Sequence, residues 1–339
     1  MICNFDRIAV RGRTVGELVL EPLLANDAGL TVIDVGARNG MSELPASYAR
    51  NAAYVGFEPN HEEYLKLSER RTDAIKAGIA VPRFREETYY PTAIWGSAGT
   101  RDLYLTEVTG ACTMMGPPDE YLAEKLYLRT LNGLRAFPRA IVGTTSVPCD
   151  TLDALIADTT TVDYLKIDVE GGEGEVLKGA ERLLRRRGIL FIKSEFFQLH
   201  LYRNQPLLGH QQVLLDAFGY RLLDMDMHHQ RYVRRSTRIP VDADRSLFMA
   251  GDAFYAIDPD RNDLSPTDLQ RLAAVSLLFG FNSFAVGLLR DGNLLPRADI
   301  DAIERALSYI PPLISVKRRW AEFPYAVARA MSRLGLRPY

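Results

Sequence analysis

TVIDVGARNG, residues 31–40, is an apolar run that reaches an acid, Asp34, and then breaks into a turn flanked by Gly36 and Gly40. The β-branched Thr31, Val32 and Ile33 favour extended backbone, and an apolar run bounded by turn residues suits a fully buried strand. The two glycines let the chain turn tightly and let a ligand come close at the carboxyl end of that strand, where open α/β sheets bind ligands. The pattern recurs. AYVGF, residues 53–57, ends at Glu58 with Pro59 beside it, and the run 164–167 ends at Asp168. Strands that each deliver an acid into a turn predict an α/β chain built on a doubly wound, mostly parallel, Rossmann-like sheet.

The composition sets the scale. With 339 residues, 47% hydrophobic and 25% charged, the chain can bury a sizeable core, and we expect one large domain, 1–260, with an appendage, 261–339. A net charge of −2 gives no pull toward nucleic acid and makes a small or neutral acceptor the default. Three cysteines, Cys3, Cys112 and Cys149, show neither framework spacing nor a CxxC pair, which fits a reducing, cytoplasmic setting. MICNFDRIAVRGR lacks a long apolar core after its charges, so no secretory signal is expected, and the longest apolar run, 273–289, is broken by Ser276, Gly280, Asn282, Ser283 and Gly287. It reads as a packed helix.

In chain order, 13–26 carries Val15, Leu18, Val19 and Leu23 on one helical face. A crossover helix is expected over 41–51 and a helix over NHEEYLKLSER after Glu58. A third strand falls within 88–95, weakened at Pro91, with Thr92 and Ala93 placed to sit over an adenine. RDLYLT, 101–106, alternates as a short antiparallel strand. The region 107–148 breaks the rhythm and is expected to shape an acceptor pocket, with a helix over 119–134. Further strands are expected at 189–195, 219–225 and 246–257, then helices from Ser265, over 297–310 and over 315–334.

Glu58 lies at the end of the second strand, where a carboxylate can accept hydrogen bonds from both hydroxyls of a nucleotide ribose. The first turn bears on which nucleotide. A dinucleotide site wants G-x-G-x-x-G, so that bare backbone and a helix terminus meet the pyrophosphate; here Asp34 stands where the first glycine belongs. A carboxylate would repel a pyrophosphate but suit S-adenosylmethionine, which carries a sulfonium and an ammonium. The turn alone leaves an NAD-dependent oxidoreductase open as the alternative.

VDYLKIDVEGGEGEVLKGA, 162–180, places Asp168 at a strand end, followed by Glu170, Gly171, Gly172 and Glu173 and by a helix with Val176, Leu177, Ala180, Leu183 and Leu184 on its apolar face. The helix dipole accounts for Glu173 and Glu175. It does not account for Asp168, which is expected to face a ligand.

IDVGARNG, VGFEPN, TLDALI (151–156) and YLKIDVEGGEGEVLKGAERLL together resemble the FkbM-type S-adenosylmethionine-dependent methyltransferases, over about 31–195 and more weakly to 257. The resemblance implies a seven-stranded class I methyltransferase fold with its seventh strand antiparallel. It also implies bound S-adenosylmethionine and methyl transfer to a hydroxyl oxygen, often on sugars, glycolipids or natural products. Carried over, the cofactor turn is Asp34, Gly36, Ala37 and Gly40, the ribose acid Glu58, and the acid-rich loop Asp168, Glu170 and Gly171. The proline in YYPTAIW and the GGEGE run depart from the family pattern.

Methyl transfer needs alignment and removal of a hydroxyl proton. Asp168 and Glu170 are the first candidates to orient or deprotonate the acceptor, Glu195 the next, and His200 is preferred over His228 and His229. A second reading, in which two or three of these acids hold a divalent cation that binds the acceptor oxygen, is possible but not favoured. The basic tail VKRRWAEFPYAVARAMSRLGLRPY could pack on the catalytic domain or a second copy, or lie on an anionic membrane surface. A module that binds S-adenosylmethionine without turnover stays open as a second alternative.

Overall fold

The computed structural model describes residues 5–6, 8–26, 29–116, 141–202, 204–230 and 247–308. Thr14 starts the first helix, Val15–Ala25, through a reciprocal capping box with Glu17. Before it, β1 (Ala9–Val10) and β2 (Arg13–Thr14) form a small hairpin.

The central sheet uses the apolar runs. β3 (Leu30–Val35), β4 (Ala52–Phe57) and β5 (Glu86–Tyr90) lie side by side in parallel. Pro91 follows β5, and the chain then leaves the sheet: β6 (Ala93–Ile94), β7 (Gly99–Thr106) and β8 (Ile141–Asp150) make a separate three-stranded sheet. The expected third strand over 88–95 is thus two strands in two sheets. β8 has no counterpart among the expectations, because Gly143 and Pro148 interrupt its alternation.

β9 (Val162–Ile167), β10 (Ile189–Phe197), β11 (Tyr220–Gln230) and β12 (Leu247–Ile257) complete the large sheet in the order β11–β12–β10–β9–β3–β4–β5. β12 runs antiparallel to both neighbours. This mixed seven-stranded α/β sheet is the class I methyltransferase fold. Its order reverses between β3 and β9, so the ligand crevice belongs at their carboxyl ends.

Two helical expectations are corrected. Only Ala46–Ala49 is helical within 41–51, because Leu44 precedes a proline and Pro45 then caps the short helix. The run 273–289 is shared by two helices, Pro266–Leu278 and Asn282–Asp291, separated where Gly280 takes φ 81°. The first is capped by Ser265, and Phe279 just beyond it stacks on Phe191 of β10 at 5.2 Å. Buried Arg271 bonds Asp163 at 2.8 Å, and Asp163 also accepts from Thr31 N at 2.6 Å. The helices 266–291 therefore share the core of the sheet.

The expected helix 119–134, the side chains of His228 and His229, and the tail 315–334 lie outside the described residues. Among the described residues no helix is long and apolar enough to cross a membrane.

Candidate active site

A cavity opens at the carboxyl ends of β3, β4 and β9, with ≈ 980 Å³ of empty space that includes its open mouth. Asp34, Gly36 and Gly40 come from the first turn, Glu58 and Pro59 from the end of β4, and Ala93, Ile94 and Trp95 from β6 and the residue after it. Thr109, Gly110 and 112–114 contribute the far wall, while Lys166, Asp168 and Glu170 form the side toward β9.

The turn is shaped first by packing. Gly36, at φ 88°, faces the Asp168 carbonyl, and a Cβ there would overlap that oxygen. Only glycine lets β3 and β9 leave the sheet side by side. The Ala37 N–H donates to the Phe57 carbonyl at 3.0 Å. No helix begins at this turn: the first helical residue after Gly40 is Ala46.

Asp34 is 1% exposed, and it accepts the Tyr54 hydroxyl at 2.9 Å and meets Lys166 Nζ at 3.4 Å. Burial lifts its carboxyl above the ordinary range, while the Lys166 ammonium and the Tyr54 donor pull it back. Lys166 also bonds Asp168 at 3.1 Å. Burial works against its charge, but Asp168, Asp34 and Glu43 outweigh that and raise it, so the ammonium stays protonated.

Glu58 is 6% exposed and accepts Asn60 N–H at 2.8 Å. Asn60, not Glu58, caps the following helix, His61–Ser68. Burial pushes Glu58 up to about 7, the Asn60 N–H opposing. Arg38 crosses from the turn to Thr109 Oγ1 at 2.7 Å and bonds Glu63 at 3.2 Å.

The loop after β9 has left-handed backbone at Glu170 (φ 53°) and Gly171 (φ 102°). Glu173 holds it: its carboxylate is buried and accepts N–H groups of Val169 at 3.2 Å and Gly171 at 3.0 Å. Sequence reasoning had assigned that acid to the helix dipole. Glu170 is fixed by Thr113, which donates to its carbonyl at 2.8 Å, and by the Tyr202 hydroxyl at 3.4 Å from its carboxylate.

Of the sequence-predicted site residues, Asp34, Gly36, Gly40, Glu58, Pro59, Ala93, Asp168 and Glu170 line the cavity; Ala37, Thr92, Glu195 and His200 do not. Glu195 lies on β10 opposite Asp252 of β12, and His200 is exposed. Sequence reasoning passed over Arg38, Trp95 and Lys166. Lys166 had a signal: a cation inside a buried strand, two residues before an acid and so on its face. Among the described residues no three His, Cys, Asp or Glu side chains are grouped to hold a metal ion.

Comparison with known proteins places this site in a family. The methyltransferase FkbM domain matches residues 34–222. Among solved structures, the chain is similar to magnesium protoporphyrin IX methyltransferase from Synechocystis PCC 6803 with bound SAM (11% identity, 71% of this chain and 76% of that one, TM-score 0.32). It is also similar to precorrin-6y C5,15-methyltransferase from Geobacter metallireducens GS-15 (13% identity, 76% and 98%, TM-score 0.31). A search of curated proteins finds no match. The FkbM match takes in the Asp34 turn, Glu58 and the Asp168 loop and spans more than half of the sequence, and the chain belongs to the FkbM methyltransferase family.

Proposed function

We propose that this protein is an S-adenosylmethionine-dependent O-methyltransferase acting on a hydroxyl of a neutral acceptor such as a sugar, a glycolipid headgroup or a natural product. The carrying observation is that one cavity joins the Asp34 turn and Glu58 on one side to Asp168 and Glu170 on the other. Its chemistry fits the cofactor: a buried acid for the ribose hydroxyls, apolar Ala93, Ile94 and Trp95 for the base, and a cavity rim whose charged side chains are five acids against two cations. That balance favours a cationic cofactor and disfavours an anionic acceptor. A turn without an adjoining helix terminus offers little to the pyrophosphate of NAD.

When bound, S-adenosylmethionine supplies a methyl group already activated on sulfur. The chain's work is then placement and proton removal. Asp34 would hold the cationic end, and Glu58 in its ionised form would accept from the ribose hydroxyls. Asp168, 46% exposed, is the group that can reach an incoming hydroxyl. Its carboxylate would orient the acceptor oxygen and take up the hydroxyl proton. Glu170, fixed by Thr113 and Tyr202, borders the same acceptor space.

Calorimetry with S-adenosylmethionine and, separately, NAD tests the cofactor. Tight binding of NAD and none of S-adenosylmethionine would reverse the assignment. Mass spectrometry of a panel of hydroxyl, carboxyl and amine acceptors then tests the atom methylated. Gain of a methyl on carboxylates or amines alone would refute the hydroxyl reading.

A further inference from the structure

Lys166 is a charged residue one place before the end of β9, a strand whose other five residues are all buried. An apolar residue is the default there, so the cost of bringing an ammonium into the sheet must be offset by partners. Register supplies them. Lys166 is opposite Asp34 of β3 on one side and Lys193 of β10 on the other, and Asp168 follows two residues later on the same face.

The two neighbouring lysines divide the surrounding acids. Lys193 bonds Glu43 at 2.8 Å and lies 3.5 Å from Asp252, while Glu43 also receives the Tyr164 hydroxyl. Lys166 meets Asp34 at 3.4 Å and Asp168 at 3.1 Å, with Tyr54 completing the shell of Asp34. One acid belongs to the cofactor turn, the other to the acceptor side.

We propose that Lys166 is a positioning residue of the transfer site, whose ammonium ties Asp34 of the cofactor turn to Asp168 at the acceptor side and supplies the cation that faces the buried Asp34 carboxyl. This rests on the cofactor reading above. Asp34 is almost fully buried, and without a cation its carboxyl would be left with the Tyr54 donor in a site that penalises charge. Asp168 is half exposed and would lose its bond to the lysine. The lysine stays protonated, so it takes no proton from the acceptor; it acts through the two acids.

The test is calorimetric titration of wild type, Lys166→Met and Lys166→Arg with S-adenosylmethionine between pH 6 and 9, with thermal melts of each chain. Lys166→Met is expected to bind at least about tenfold more weakly. Its affinity should fall more steeply than that of wild type as pH is lowered, because both Glu58 and Asp34 must then lose a proton on binding, where in wild type Glu58 alone must. Lys166→Arg, which keeps the charge, should stay within about threefold of wild type. Wild-type affinity and pH profile in Lys166→Met overturns the proposal. So does an equal loss in both variants at every pH, which marks a packing role. If Lys166→Met does not fold, Lys166→Gln is read by the same criteria, and the Arg variant still decides whether charge is what matters. Absence of binding by wild type is a different result: it defeats the cofactor reading, and this proposal with it.

Discussion

Glu58 offers the most quantitative test of the site. Its carboxyl is 6% exposed and is raised from 4.5 to about 7, chiefly by burial. Ionising it in place therefore costs about 3 kcal/mol more than ionising it in water, taken as an upper bound. The sign follows from linkage. A carboxyl raised in the folded state contributes stability below its unfolded value and loses that contribution as pH rises through its folded value. The free chain carries this cost at pH 8, and Glu58→Gln should be more stable there by up to about 3 kcal/mol, the gap closing toward pH 5. Gln retains an oxygen to accept the Asn60 N–H, so the local cap is kept. Binding should show the opposite side of the same bargain. If the ribose needs the carboxylate, wild-type affinity for S-adenosylmethionine falls about tenfold between pH 8 and pH 6, because about nine in ten molecules are then protonated. Glu58→Gln should bind about 10- to 100-fold more weakly at pH 8, having lost charge-assisted hydrogen bonds, and should lack that fall. Isothermal calorimetry at pH 6, 7 and 8, with melts at the same pH, measures both. A pH dependence shared by the two proteins belongs to the cofactor's own amine. The reasoning is refuted by wild-type affinity in Glu58→Gln, or by a variant no more stable than wild type at pH 8.

Three further outcomes are expected. Gly36→Ala, which forces a Cβ onto the Asp168 carbonyl at φ 88°, should cost at least about 3 kcal/mol in chemical denaturation; a loss under about 1 kcal/mol would mean the two strand ends separate easily. Asp163→Ala strands Arg271, which is 7% exposed, and should lower stability by about 3–5 kcal/mol, with a neutral result showing that the helix Pro266–Leu278 contributes little to the sheet. Trp95 lines the cavity, so tryptophan emission should change on adding S-adenosylmethionine, and Trp95→Phe should diminish that change.

Much of the architecture was legible because buried parallel strands announce themselves as apolar runs closed by an acid or a glycine. The runs at 31–35, 53–57 and 164–167 were read to within two residues of β3, β4 and β9. β8 was not, since its exposed, Thr-rich face carries little hydrophobic pattern to read. Helical periodicity also overran its evidence at 173–185. Gly179 approaches the Trp95 carbonyl too closely for any side chain, and the structure has two short helices there, Glu173–Lys178 and Glu181–Arg185.

The site divides along the same line. From the sequence alone came Asp34, Glu58 and Asp168, because each stands at the end of a strand, a position that chain order and spacing specify. What only the tertiary structure decided is which groups meet. Lys166 bonds an acid 132 residues away, Gly36 is a glycine because of a carbonyl beyond another strand, and Glu195, within β10, and His200, just past it, lie outside the cavity. Periodicity reports the face a side chain takes within its own element. Distances between elements depend on sheet order and register, which are set by how the whole core packs.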